Sequence, residues 1–553
     1  MKNQYITIAC LILLIGTNSC TEHSHDTNEG TPGIPYRRAE TGHGGALIAD
    51  PFDNSTPASG NDVDTEGRCR TGSKGTPGTC GCAFEDKDID GDGRIDCPVR
   101  SMPTTEKMRI PLNDITDEKC AEWEYPTHPT IGLPDLPEFG YEITIDTQKY
   151  GISTVYAPEQ AESTTRNLER AIREYKDAGY TRIVIPPGHY PITPNGIKPA
   201  NGVALIMREG VILQQIPSDA KDCGIIDLNG VQNVYIEGGA LLGDRDHRIS
   251  EAGEECNGIR AVNGGRYFLN GIRIDSPHGD GIMIVDYTPD GQESPVHDIT
   301  IANCEIVNAY RNGIAVVGAD GVRITNNAIH HTHGTDPQFA IDLEANSRSR
   351  RNQHIVIDYN SFHDNVAGDV IIDAHNTFIE YNLFSQGDMD KYIDNPFIPR
   401  AKSSSFIFYG NRVERFTKST GCGWQLFCSY AYDKGVIPTE AQQPYPSFVV
   451  NNDLPNTRVQ LTYRNRLCVK GNTLHGGHLS ASDVKQLRVL NNRVEKFDSN
   501  ATAGDYSFLN VYGKASGNEL CKRDSEGNES CHEVTSLNAM KDDERFDLNK
   551  HMY

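Results

Sequence analysis

Short apolar phrases recur along the second half of the chain, each ending in a turn that carries asparagine. "ITIANCEI", "VRITNNAI", "IVIDYNSF", "TFIEYNLF", "FIFYGNRV", "LCVKGNTL" and "LRVLNNRV" share two alternating apolar residues, a turn and a further apolar residue. Alternation with a period of two marks a strand with one buried face. Asn327, Asn360, Asn382, Asn411, Asn472 and Asn492 occupy the same place in the phrase, mostly 20 to 33 residues apart. The 61-residue gap between Asn411 and Asn472 reads as an insertion that includes "TGCGWQLFC". A fixed period of this length with short strands and no helix in each repeat predicts a solenoid, specifically a parallel β-helix. Asparagines stacked at one turn would hydrogen-bond from coil to coil and be structural. A propeller is the alternative, but no four-stranded blade period is visible. Ahead of the repeats, "STTRNLERAIREYKDAGY" places Leu168, Ala171, Ile172 and Tyr175 at helical spacing. It predicts one helix, N-capped by Ser163 or Thr164, that closes the end of the solenoid.

From about Tyr141 to Tyr512 the sequence resembles the pectin-lyase-like superfamily of right-handed parallel β-helices. The resemblance rests on the helix leading into "IVIPPGHY", on "ALIMREGVILQ" and "VYIEGGALLGD", and on repeated Gly-Ile strands. It implies an all-β, right-handed parallel β-helix domain over 141–512, with a tail over 513–553, and a function among polysaccharide hydrolases, lyases and epimerases. "HGDGI" matches the D-G-I part of the polygalacturonase pattern at Asp280, but no R-x-K follows in a fitting place. The pectate-lyase set of arginine and calcium-binding acids is not evident either.

The first residues, "MKNQYITIACLILLIGTNSC", join one lysine, an apolar run and small polar residues. This is the pattern of a secretory signal peptide over 1–20. Its end resembles a bacterial lipoprotein signal, which implies acylation of Cys20 and a membrane partner through that lipid. Residues 21–65 are polar and Gly/Pro-containing, a linker. Five of the 15 cysteines lie between Cys69 and Cys120 and mark a small Cys-rich module over 66–125. Export permits disulfides; Cys223 with Cys256, Cys422 with Cys428 and Cys521 with Cys531 are candidate pairs. Within the module, "CAFEDKDIDGDGRIDC" sets Asp86, Asp88, Asp90, Asp92 and Asp96 at nearly alternating positions around Gly91 and Gly93. Such a loop offers the six to eight oxygens that Ca²⁺ requires. It resembles a thrombospondin type 3 repeat, which implies a structural calcium ion. The net charge of −24 from 52 basic and 76 acidic residues argues against a nucleic-acid partner.

The strands "NGIRAV", "DGIMIV", "NGIAVV", "FAIDLE" and "GDVIID" align with Ile259, Ile282, Ile314, Ile341 and Val370 pointing inward. Arg260, Met283, Ala315, Asp342 and Ile371 then point outward. Asp342 and Glu344 share one face at about 6.6 Å by backbone, and Asp280 lies two coils away. A carboxylate pair at this spacing suits acid/base hydrolysis of a glycoside. Polar turns in consecutive coils, "GDRDH", "HGDG", "YRNG" and "HHTHGTDP", suggest one cleft edge. They nominate Arg245, His247, His278, Arg311 and His333, with Arg260, as substrate-binding residues. His331, His333 and Asp336 form a weaker candidate metal set. The favoured expectation is an exported hydrolase of an acidic polysaccharide that uses Asp342, Glu344 and Asp280. A lyase or epimerase working through His278, His331 or Arg311 is the first alternative, and a non-catalytic surface glycan binder the second.

Overall fold

The computed structural model describes residues 98–100, 119–120, 122–250, 253–289, 292, 294, 296–345, 352–385, 397–399, 405–414, 425–426, 443, 445–455, 458–475, 478–497, 506–523 and 529–534. Cys20, Cys422, Cys428 and the five aspartates of the proposed calcium loop lie outside these residues. The strand phrases assemble in parallel, one above the next, as in Tyr267↔Ile299, Ile299↔Val322 and Val322↔Ile355. Each central coil carries three strands, for example His297–Ala302, Glu305–Val307 and Ile314–Val317. Alternate side chains point inward and form one apolar core along the coil interior, including Ile299, Ile301, Ile306 and Ile314. The strand stack runs on through Tyr506–Ser516 and Asn518–Arg523, past the boundary read at residue 512. It is followed by an antiparallel partner, Glu529–Val534, in which Cys521 bonds to Cys531.

One sheet stands apart and forms a separate face. It is built from β1 (Asp222–Asp227), β2 (Glu255–Val262), β3 (Ile282–Val285), β4 (Ile314–Val317), β5 (Phe339–Glu344), β6 (Gly368–Ile372) and β7 (Phe397–Pro399) in that order. Cys223 pairs with Cys256 across β1 and β2.

The coils turn on a buried asparagine ladder. In each rung the side-chain oxygen accepts the backbone N–H of the preceding asparagine, at 2.9 Å from Asn360 to Asn382 and 2.9 Å from Asn382 to Asn411. The side-chain amide of Asn382 donates to the Ile357 carbonyl at 2.9 Å and onward to Asn411 Oδ1 at 3.0 Å. The residue before each rung is left-handed, at φ 52° in Asn326, 62° in Gly410 and 66° in Gly471. Glycine and asparagine tolerate that conformation best. Tyr359 and Tyr381 also adopt it, and their rings stack at 5.2 Å. The gap between Asn411 and Asn472 holds another rung, Asn452, bonded to both neighbours. A complete coil turn therefore lies inside the segment read as an insertion. Asn518 adds a final rung above Asn492.

The predicted helix, α1 (Ala161–Ala178), buries Leu168, Ala171, Ile172 and Tyr175 and stops at left-handed Gly179. It begins three or four residues earlier than expected, out of the turn Pro158–Gln160. Ser163 and Thr164 are not its cap: the Ser163 hydroxyl donates to the Gln160 carbonyl, and Thr164 is buried.

Cys120 does not pair within the Cys-rich module; it bonds to Cys468, 348 residues away. From there the chain crosses the outer face of the largest sheet toward its first coil. Trp123 and Tyr125 pack with Val356, Phe378, Ile407 and Phe448. His128 meets Glu380 at 2.9 Å, the Gly132 N–H donates to Asp298 at 2.6 Å, and the Asp135 N–H donates to Asn233 at 3.0 Å. Leu133 and Leu136 then cover Val184, Ala204, Ile206, Tyr235 and Phe268. Twenty extended residues reach about 60 Å, enough to cross about a dozen strands. The segment is a strap along the stack.

Removing one rung strands several buried groups at once. Asn382→Ala leaves the Asn360 N–H and the Ile357 carbonyl without these partners, at roughly 1–3 kcal/mol for each buried group left unsatisfied. The expected result is a lower unfolding midpoint with accelerated amide exchange at Asn360, read by denaturation and hydrogen-exchange mass spectrometry.

Candidate functional site

The aligned strands keep the register read from their Gly-Ile steps: Ile259↔Ile282, Ile282↔Ile314, Ile314↔Ile341 and Ile341↔Val370. Glycine precedes the inward isoleucine because no side chain fits there. A Cβ at Gly281 would meet Ile306 Cγ2 at 2.4 Å, and one at Gly313 would meet Ile329 Cγ2 at 2.3 Å. The outward row runs Arg260, Met283, Ala315, Asp342, Ile371. Val262, Met283, Val285 and Val317 form an apolar patch separate from the core. Asp342 and Glu344 stand at one end of that patch, opposite Ala315 and Val317.

Arg311 is the centre of the charge arrangement. Its guanidinium lies 3.4 Å from Asp280; burial loosens its proton, but Asp280, Asp342, Glu254 and Glu344 outweigh that and hold it more tightly than usual. Asp280 is almost wholly buried, and burial pushes its carboxyl upward while Arg311 and the Asn312 amide pull it back. Its Oδ1 accepts the Asn312 N–H at 2.9 Å. The Asp280 N–H in turn donates to Asn257, and the Phe339 N–H donates to Asn312. Asp280 thus occupies a rung in a second ladder whose neighbouring rungs are asparagine. One oxygen serves the backbone and the other faces Arg311.

The remaining nominated residues divide. Asp342 faces outward but is 1% exposed, against the expectation of an open floor; Glu344 is half-buried. Arg260 is held between Asp222 at 2.7 Å and Asp227 at 3.5 Å, a bond between coils. His278 is buried and stacks on Tyr310 at 4.2 Å. Arg245 lies over the other reach of Tyr310 at 5.5 Å and donates to the Asn308 carbonyl at 2.7 Å. His333 Nδ1–H donates to the His331 carbonyl at 2.7 Å. His247 is exposed in the turn Arg245–His247. These turns do meet along one edge, but Arg245, His278 and His333 brace it from within. His331 does not join His333 and Asp336 as a metal set: Asp336 accepts from Gln338, and His331 turns toward His330 and His363.

Sequence reasoning missed Glu254 and Glu255. Glu255 lies opposite Asp222 and has its carboxyl pushed up, first by partial desolvation and then by Asp222. The Cys223–Cys256 pairing, one residue along, was the signal that aligned it. Tyr287, 59% exposed, sits within electrostatic range of Glu255, Arg260 and Arg311.

The three-strand coils, the ladder and the outward acid-lined sheet define a right-handed parallel β-helix protein. Residues 290–433 match the family model described as a right handed beta helix region. The uncharacterized protein YclG of Bacillus subtilis (strain 168) is 24% identical over 229 residues, 37% of this chain and 38% of that protein. The chain therefore spans well under half the length of that relative. Among solved structures, PfbA, a surface adhesin of Streptococcus pneumoniae, aligns with TM-score 0.43 and 12% identity over 72% of this chain and 99% of that one. The A-module of the Azotobacter vinelandii mannuronan C-5 epimerase AlgE6 aligns with TM-score 0.42 and 12% identity over 67% and 98%.

Asp369 in β6 lies opposite inward-facing Ala340 and is buried in the coil, where it accepts from Asn365 at 2.9 Å. Burial, with Asp364 nearby, pushes its carboxyl up to about 7. The unfolded chain releases this proton near pH ~4. The contribution of this group to stability is therefore full below that pH and is lost as pH rises through about 7. Asp369→Asn keeps an acceptor for Asn365 and removes the titration. The variant should gain stability relative to wild type between pH 5 and 8, on the order of a few kcal/mol, as measured by urea unfolding at a series of pH values.

Proposed function

We propose that the protein is an exported polysaccharide hydrolase, tethered through Cys20, that works on the outer face of β2–β5. The observation that carries this reading is Asp342 and Glu344 on one face beside Arg311, at the end of an apolar floor of Val262, Met283, Val285 and Val317. Their backbone spacing of about 6.6 Å falls near the roughly 6.5–9.5 Å carboxyl separation of inverting glycosidases. Glu344, the more open of the two, activates water, and Asp342 protonates the departing oxygen. Asp280 is a positioning residue here: one of its oxygens belongs to the ladder and the other steadies Arg311. Because Asp342 is 1% exposed, glycan entry requires an opening step that uncovers it. The charge balance favours a neutral glycan over the acidic one expected from sequence. Arg311 already answers to four carboxylates, so little positive field remains for a polyanion. The same balance weakens the lyase reading, which needs a free cation at the substrate carboxylate.

A second reading, a glycan-binding surface protein without catalysis, is favoured by the burial of Asp342 and the exposure of the Tyr287 ring. Incubation of the mature protein with neutral and acidic polysaccharides separates the two. New reducing ends without ultraviolet absorbance, reduced roughly 10²–10⁴-fold by Asp342→Asn and by Glu344→Gln, support hydrolysis. Absorbance from unsaturated ends points to a lyase. Glycan retention without any cleavage, weakened by Tyr287→Ala, supports the binding protein.

A further inference from the structure

Three histidines meet at one corner of two neighbouring coils. His330 lies directly over His363 in register, with rings stacked at 4.5 Å and 9°. His331 stands edge-on to both, at 5.0 Å and 5.5 Å. One ring nitrogen from each lies within 4.8 Å of the other two. The backbone explains the meeting. The residue after this short strand is left-handed in successive coils, at Ser276, Asn308, His331 and Asp364. The corner therefore presents a square, with His330 and His331 above His363 and Asp364. In the two coils before it, the left-handed position carries a small polar residue; at His331 it carries an imidazole.

We infer that this corner is a binding site for a divalent transition-metal ion of the Zn²⁺ kind, held by His330, His331 and His363. Three arguments lead there. Imidazole suits zinc, nickel and copper rather than calcium. Two of the rings already have a carboxylate behind them. His363 Nδ1–H donates to Asp364 at 2.8 Å, and His330 Nε2 lies 3.5 Å from Glu305. Metal-binding histidines are commonly oriented in this way, with one nitrogen tied to a carboxylate and the other left for the metal. With Nδ1–H of His363 on Asp364, its Nε2 carries the lone pair, and His330 Nδ1 already lies 2.8 Å from His331 Nδ1. Finally, the side chains are 15%, 33% and 31% exposed, so an ion can enter and keep a water in a fourth position. Zinc–nitrogen bonds of about 2.0–2.1 Å in a tetrahedral site set ligand nitrogens about 3.3 Å apart, so the His330–His331 pair at 2.8 Å opens slightly while His363 closes in. Rotation about the side-chain torsions suffices. The ion would link two coils at a corner distinct from the acid-lined sheet.

The test uses the full mature chain, stripped of metal and held in excess Ca²⁺ so that acidic loops are occupied. Equilibrium dialysis against Zn²⁺ should give one more ion per chain for wild type than for His330→Gln/His363→Gln, with at least a hundredfold weaker binding in the variant. Co²⁺ should give the intense visible bands of a low-coordinate nitrogen site in wild type, displaced by Zn²⁺. Zn²⁺ should also raise the melting temperature of wild type and leave that of the variant unchanged. Equal Zn²⁺ uptake by both chains, or weak six-coordinate Co²⁺ bands in wild type, would overturn the proposal. The Co²⁺ spectrum is read on the unaltered protein, so a folding defect in the variant does not blunt the test.

Discussion

Everything in this fold depends on a buried amide finding its partners one coil away. A coil of a β-helix must turn sharply, and a sharp turn leaves backbone N–H groups that no strand ladder satisfies. The stacked asparagines answer this by lending each turn an oxygen from the next, as from Asn472 to Asn452 at 3.0 Å and from Asn492 to Asn472 at 3.0 Å. Because every rung both gives and receives, the coils are locked in axial register. That register is what brings side chains from distant parts of the sequence into rows.

The acid-lined sheet shows how a site is made from the same device. Asp280 substitutes for asparagine in the second ladder, retaining one carbonyl-like oxygen for the Asn312 N–H. The second oxygen faces the Arg311 guanidinium at 3.4 Å. A structural position thus carries an ionisable group without disturbing the turn. Burial pushes this carboxyl upward, and the guanidinium of Arg311 opposes that push. The same reasoning explains why Arg260, which looked like a substrate ligand, is held instead by Asp222 and Asp227.

The coil strands and their inward faces were legible because period-two alternation and the Asn turn are local signals, and the β2–β6 register held at each aligned isoleucine. Asn452 was hidden because its phrase, "FVVNND", sits among residues of different character. Matching it to "LCVKGN" would have uncovered it. The site was legible only in part. Spacing along a strand placed Asp342 and Glu344 together, but exposure depends on what covers a face, and the burial of Asp342 has no signature in its own neighbours. His330 and His363 are one coil apart, 33 residues, so their meeting required the register before it could be seen. The strap from Cys120 onward has no periodicity at all, since an extended segment that binds through scattered contacts imposes no repeat on its sequence.

That strap changes how the molecule bears load. A stack of coils pulled from one end would peel rung by rung, each bond carrying the whole force in its turn. Here a bond from Cys120 to Cys468 anchors one end of the strap far along the stack, and Phe139–Thr144 pairs with Arg182–Ile185 in the first coil at the other. Tension applied at the late coils is shared with the early ones, so the bonds resist together rather than in succession. The strap acts as a tendon, turning a zipper into a girder.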